Sequence, residues 1–101
     1  MNSHRARIRW SPASVRGRRA LPPTLRYVGI ARFANDSPNW PDGAWSVELT
    51  FDTPPPEQES QMSAAQVRFL VDRAPQKWLE RGARFELYEG PQKVADVEVI
   101  D

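Results

Sequence analysis

The most constraining feature of this chain is a hydrophobic period of two residues that recurs in short segments along its length. In residues 45–52, the apolar Trp, Val, Leu and Phe alternate with Ser, Glu, Thr and Asp. Because successive side chains of a β-strand point to opposite faces, this pattern predicts a strand with one buried and one solvated face. The same alternation predicts strands in six segments, residues 5–10, 25–33, 45–52, 67–72, 84–87 and 96–99.

Two of these segments carry further information about burial. In residues 67–72, we expect Val67, Phe69 and Val71 to point inward together. In residues 25–33, apolar side chains occupy both faces, at Val28 and Ile30, which is typical of a more central strand.

Proline and glycine mark the ends of the predicted strands. All ten prolines lie outside the strand interiors, where a missing N–H would remove a sheet hydrogen bond. Residues 75–82 form the one predicted helical connector, because Pro stands in its first turn and Gly at its end. Residues 53–61, rich in Pro, Glu and Gln, are expected to form a mobile loop. Short strands with regular turns predict an all-β sandwich or closed barrel, with residues 1–101 forming a single domain.

The residue types that carry most enzyme chemistry are missing or scattered. The chain has no cysteine and one histidine, His4, which argues against a disulfide framework, a zinc site and a nucleophilic Ser-His or Cys-His pair. Its five glycines are too scattered for a phosphate-binding loop. The carboxylate pairs Glu57 with Glu59 and Glu86 with Glu89 are interpreted as solvated surface charges. We therefore expect no enzyme activity, no cofactor, no bound metal and no nucleotide.

The sequence also bears on where the protein resides. No apolar run approaches the roughly 20 residues of a membrane-spanning helix. The N-terminus is basic, but no apolar segment follows it as in a secretory signal. Since the absence of cysteine fits a reducing compartment, we expect a cytoplasmic protein that does not enter the membrane.

The formal net charge of +1 conceals a strong asymmetry along the chain. Residues 1–35 contain eight arginines and no acidic residue, whereas all 13 acidic residues lie in residues 36–101. If the two parts stay separate in the fold, they form a two-signed surface, with one positive and one negative region, which steers charged partners. If a basic strand lies beside an acidic one, the opposite charges pair and the field cancels. The sequence alone leaves both alternatives open.

The basic part of the chain provides the candidate binding residues. Arg5, Arg7 and Arg9 alternate along the outer face of the first predicted strand, and Arg18 and Arg19 lie in the loop that follows it. Because a guanidinium donates two parallel hydrogen bonds to phosphate, such a row is suited to the backbone of a nucleic acid. The sequence pI of about 8.2 is nevertheless lower than is typical of a nucleic-acid-binding domain.

The four tryptophans are expected to have different environments. Trp10 lies on the apolar face of the first strand, and Trp45 on that of the third, so both are predicted to be core residues. Trp78 is interpreted as the anchor of the helical connector. Trp40 stands in a turn region and is the better candidate for an exposed stacking surface.

The C-terminal segment, residues 81–95, resembles the C-terminal β-barrel domain of elongation factor Tu. In that family a Gly precedes an Arg-Phe strand, which is followed by Arg-Glu-Gly-Gly-Arg-Thr-Val-Gly and a valine-rich final strand. The matching residues, in the same order, are Gly82, Arg84, Phe85, Glu89, Gly90 and Val94. Residues 17–22, Gly-Arg-Arg-Ala-Leu-Pro, are similar to the family's Gly-Gly-Arg-His-Thr-Pro loop.

This resemblance implies a six-stranded antiparallel closed barrel without a catalytic role. In the family the domain packs on a GTPase domain and contacts the backbone of aminoacyl-tRNA, and the corresponding positions here are Arg18 and Gly90. Pro91, Gln92 and Ala95 stand where the family has Gly, Arg and Gly. Because the sequence shows no GTPase or middle domain, we expect a stand-alone domain and not a tRNA carrier.

Two hypotheses for function follow. The first is a non-enzymatic, stand-alone binding module that docks onto a protein partner, with the translation apparatus as one source of that partner. It rests on the missing catalytic residues and on the two-signed charge. The alternative is binding of an RNA or tRNA backbone through Arg5, Arg7, Arg9, Arg18 and Arg19.

Overall fold

The computed structural model of this protein describes residues 3–11, 25–36, 38–53 and 62–101. Arg18, Arg19 and most of the loop predicted over residues 53–61 lie outside the described residues. The described strands are β1 (His4–Trp10), β2 (Arg26–Phe33), β3 (Trp45–Thr50), β4 (Met62–Phe69), β5 (Arg84–Glu89) and β6 (Gln92–Val99). A single 3₁₀ turn, Gln76–Leu79, lies between β4 and β5.

The strands form one closed barrel in the order β1-β4-β3-β2-β5-β6, with β6 pairing back onto β1. Every pair of neighbours is antiparallel. The predicted six-stranded antiparallel closed barrel is therefore confirmed. Closure gives each of the six described strands a neighbour on both sides, so none of them has a free edge.

The core is built by the inward-facing residues of the period-two segments. Because each strand contributes alternate side chains, six strands fill one apolar interior. The fully buried members include Ile8, Val47, Leu49, Val67, Leu87 and Val99. Trp45 and Trp78 are partly buried and pack against this core.

Trp10 is a core residue, as predicted, and it brings a polar group inside the barrel. It is 2% exposed, and its Nε1–H donates to the Oγ of Ser63 at 2.8 Å. Ser63 itself is buried on β4, opposite Ile8 of β1. The hydroxyl thereby satisfies the indole N–H, which would be costly to bury without a partner.

The fourth strand differs from its prediction. The alternation of residues 67–72 placed Val71 inside, but β4 ends at Phe69, and Val71 is 41% exposed. Phe69 pairs with Val47 of β3, and after it the chain turns, with Ala74 N–H donating to the Val71 carbonyl. The prediction was wrong because the apolar alternation of the sequence continues past Phe69, whereas the chain leaves the strand there and turns.

The short helical connector predicted within residues 75–82 is present as the 3₁₀ turn Gln76–Leu79, and Gly82 follows it with φ of 88°. One further expectation is corrected by the structure. Val28, expected on a second buried face, is 37% exposed. It points outward because the barrel has one interior, so each strand has one buried face only.

Candidate functional site

A surface groove of about 730 Å³ crosses the outer face of the barrel over β2, β5, β6 and β1. We call it the arginine groove. Its charged lining consists of Arg7, Arg9, Arg32 and Arg84 together with Glu86, Asp96 and Glu98. These side chains come from strands far apart in sequence, and the barrel closure brings them together.

Strand register arranges the charged side chains of the groove in two rows. In the first row, Arg9 lies opposite Asp96, Asp96 opposite Glu86, and Glu86 opposite Arg32. Residues opposite each other on antiparallel strands project to the same face, so the side chains of this row all lie on the outer face of the barrel, across four strands. Its two ends are arginines and its middle is acidic.

The second row runs beside the first and consists of one carboxylate between two arginines. Glu98 lies opposite Arg84 on one side and opposite Arg7 on the other. Its carboxylate is 3.2 Å from Arg7 Nη2 and 3.5 Å from Arg84 Nη2. Both arginines are more than half exposed, so each contact contributes about 0–1 kcal/mol at most.

Lys93 neutralises part of the acidic middle of the first row, where it contacts both carboxylates. Its Nζ lies 2.9 Å from Asp96 Oδ1 and 3.3 Å from Glu86 Oε2. The hydrogen bonds to Asp96 and then to Glu86 raise the pKa of Lys93, against the opposing effect of partial burial. The two carboxylates are thus held by Lys93 and form no ion pair with the arginines at the ends of their row.

Arg9 and Arg32 therefore differ from the other arginines of the groove. No carboxylate of the described residues forms an ion pair with either of them. Both are exposed. They are the cations of the groove that remain available to an anionic group of a ligand.

Arg32 is held in place by an aromatic side chain. Its guanidinium carbon lies 5.1 Å from the centroid of the Trp40 ring, a cation–π contact. Trp40 donates its Nε1–H to the Ala31 carbonyl at 3.0 Å and packs on Tyr88 with ring centroids 4.6 Å apart. Trp40 was predicted to be an exposed stacking surface; it is half-buried and supports Arg32 instead.

The sequence-predicted binding residues that the structure describes lie in three locations, whereas Arg18 and Arg19 are outside the described residues. Arg7 and Arg9 line the arginine groove. Arg5 lies in a smaller groove of about 430 Å³ and pairs with Asp101, Nε to Oδ2, at 3.2 Å. Gly90, with φ of 60°, lies in the turn between β5 and β6, away from both grooves.

Sequence reasoning missed the other charged members of the site, which are the basic Arg32, Arg84 and Lys93 and the acidic Glu86, Asp96 and Glu98. Each occupies an outward position of a predicted strand or its flank, but nothing in the linear sequence marks them as neighbours of Arg9. One of the two alternatives that follow from the charge asymmetry of the chain describes part of this arrangement. Among the described residues, the basic β1 lies beside the acidic β6, so the alternative of paired, cancelling charges applies to this part of the surface.

Within the described part of the chain, no group of three or more His, Asp or Glu side chains is placed so that it could hold a metal ion. No helix within the described ranges has the length and hydrophobicity needed to cross a membrane. Comparison with models of protein families, with curated proteins and with solved structures finds no match to this chain. The resemblance to the elongation factor Tu domain thus rests on its sequence motifs alone.

Proposed function

We propose that this chain is a non-enzymatic binding module that docks onto a protein partner by capturing an acidic segment in the arginine groove. The observation that carries this proposal is the pair Arg9 and Arg32, two exposed guanidinium groups of one groove that have no carboxylate partner among the described residues. A carboxylate satisfies such a group with two parallel, charge-assisted hydrogen bonds.

The closed barrel restricts how a partner is recognised. Many peptide-binding domains add the peptide as an extra strand at a sheet edge. This barrel offers no such edge, since each strand has two neighbours. Recognition therefore falls to side chains on the outer face, where complementary charge supplies specificity and fast association.

A protein ligand fits the groove better than a nucleic acid because acidic residues of the groove lie between its arginines. Glu86, Asp96 and Glu98 all line the groove, and a phosphate backbone with one charge on every nucleotide would meet them. RNA binding remains the second candidate function. It is supported by Arg5, Arg7 and Arg9, which are all exposed along one side of β1.

The proposal is tested with fluorescently labelled peptides that carry two glutamates at varied spacing in a Gly/Ser background. Each has a control in which Gln replaces Glu. Binding is followed by fluorescence anisotropy at low ionic strength. We expect some Glu peptides to bind and their Gln controls not to bind. The double variant Arg9→Ala, Arg32→Ala is expected to lose about 100-fold in affinity, about tenfold for each lost contact.

The matched control removes two exposed arginines outside the groove, Arg73→Ala with Arg81→Ala. It changes the net charge equally, so it separates groove contacts from general charge attraction. Equal loss in both double variants contradicts the proposal. Binding of labelled single-stranded RNA with a steep salt dependence, in the absence of peptide binding, favours the RNA alternative.

We also propose that the protein acts in the cytoplasm. The support is the complete absence of cysteine, which fits a reducing compartment. Fluorescence microscopy of the tagged full-length protein tests this location, and a signal confined to the cell envelope contradicts it.

A further inference from the structure

The arginine groove has a defined spacing between its two available cations. Arg9 and Arg32 stand at the opposite ends of the row Arg9, Asp96, Glu86, Arg32. Neighbouring strands are about 4.8 Å apart, so three strand spacings separate the backbone positions of the two arginines by about 14 Å. A ligand whose two anionic groups are separated by about this distance can place one of them near each arginine.

An extended peptide meets this requirement at one spacing. It advances about 3.3 Å per residue, so residues i and i+4 are about 13 Å apart. Their side chains also point to the same face, because the period of an extended chain is two. Carboxylates at i and i+2 are too close together, and those at i and i+3 point to opposite faces.

The acidic residues in the middle of the row determine which type of residue the peptide carries between its two carboxylates. Residue i+2 faces the groove as well and lies over Glu86 and Asp96, whose side chains are 39% and 57% exposed. Two carboxylates and the one ammonium of Lys93 leave this middle with a net charge of −1, which would repel a third carboxylate. A basic residue would instead add an opposite charge.

On the basis of the proposed function, we propose that the arginine groove recognises an extended protein segment with acidic residues at positions i and i+4 and a basic residue at i+2. The segment lies across the strands of the barrel. Arg9 binds one terminal carboxylate of the motif and Arg32, held by Trp40, binds the other. Glu86 and Asp96 select the basic residue between them.

The test compares three labelled peptides with identical Gly-Ser flanks. The matched peptide contains Glu-Ser-Lys-Ser-Glu, its isomer of equal composition contains Glu-Ser-Glu-Ser-Lys, and the all-acidic peptide contains Glu-Ser-Glu-Ser-Glu. Dissociation constants are measured by anisotropy on the full chain. We expect the matched peptide to bind about tenfold more tightly than either of the others, which corresponds to one lost charge-assisted contact.

Single variants identify the two ends of the motif. Arg9→Ala and Arg32→Ala are each expected to reduce affinity for the matched peptide to that of the isomer, and Arg73→Ala to leave it unchanged. Arg9, Arg32 and Arg73 are all exposed, so unchanged circular-dichroism spectra are expected for all three variants.

The outcomes separate this inference from the function on which it rests. If the isomer or the all-acidic peptide binds as tightly as the matched peptide, the spacing motif is wrong while binding of acidic segments stands. If the matched peptide binds no better than its version with Gln in place of Glu, both are wrong.

Discussion

Replacement of Glu48 by glutamine tests how the outer face of β3 contributes to stability. Glu48 lies on the face that sequence alternation assigns to solvent, yet its side chain is only 7% exposed. It accepts hydrogen bonds from Arg68 Nε, at 2.6 Å, and from Arg26 Nε. One carboxylate on β3 thereby joins the two neighbouring strands, β2 and β4.

The expected loss of stability follows from these contacts. Hydrogen bonds to a charged group contribute about 1.5–3 kcal/mol each, and breaking a buried pair costs about 3–5 kcal/mol. The arginine side chains are 62% and 36% exposed, so water compensates part of the loss. We expect Glu48→Gln to lower the free energy of unfolding by about 2 kcal/mol, which corresponds to a fall in Tm of about 10 °C in a domain of this size.

The effect of this substitution depends on pH in a defined direction. The hydrogen bonds from Arg68 and Arg26 lower the pKa of Glu48 below 4.5, more than its burial raises it. A carboxyl group with a lowered folded-state pKa stabilises the protein above its unfolded-state pKa. That contribution disappears as the pH falls through the folded-state value. The stability difference between the native protein and Glu48→Gln should be constant near neutral pH and shrink below pH 4.5.

Urea unfolding followed by tryptophan fluorescence, repeated over a range of pH, measures both effects. Glu80→Gln is the matched control, because Glu80 is exposed and forms no ion pair with a described residue. It should change stability by less than about 0.5 kcal/mol. If Glu48→Gln behaves like Glu80→Gln, or if its effect is the same at pH 3 as at pH 7, the account of Glu48 as a stabilising link is refuted.

Three further substitutions test the core and the groove. Trp10→Phe removes the donor to Ser63 inside the barrel and should cost about 1–3 kcal/mol in urea unfolding, with part of the loss recovered when Ser63→Ala removes the unpaired hydroxyl as well. Gly29→Ala would place a Cβ 2.8 Å from Leu87 Cδ1, so we expect a loss of about 1–3 kcal/mol from overpacking; an unchanged Tm would contradict this. Lys93→Met leaves two carboxylates without their shared cation and should lower the free energy of unfolding by less than about 1 kcal/mol. Added salt should reduce this loss, and an unchanged free energy of unfolding at low salt would contradict the contact.

The barrel itself was predictable because its strands are locally encoded. Residues 45–52 and 5–10 alternate so regularly that the strand and its buried face follow from the backbone period. The same reasoning failed at Val71, since the chain leaves β4 after Phe69 although the apolar alternation of the sequence continues. The number of residues in a strand is decided jointly with its neighbours, and a local pattern carries no information about them.

The arginine groove was predictable only in part for the same reason. Arg7 and Arg9 were recognised as outward-facing residues of the first strand. That Arg32 stands at the other end of the row follows from the pairing of β2 with β5 and of β6 with β1. Periodicity gives the direction of each side chain but not the order of the strands.

The sequence by itself determined that side chains within a strand alternate between the inside and the outside of the barrel, because successive residues of an extended backbone point to opposite faces. Only the tertiary structure decided which outward charges meet. It placed Glu98 between Arg7 and Arg84 and left Arg9 without such a partner among the described residues. Contacts of this kind join residues tens of positions apart, and they exist only once the barrel has closed.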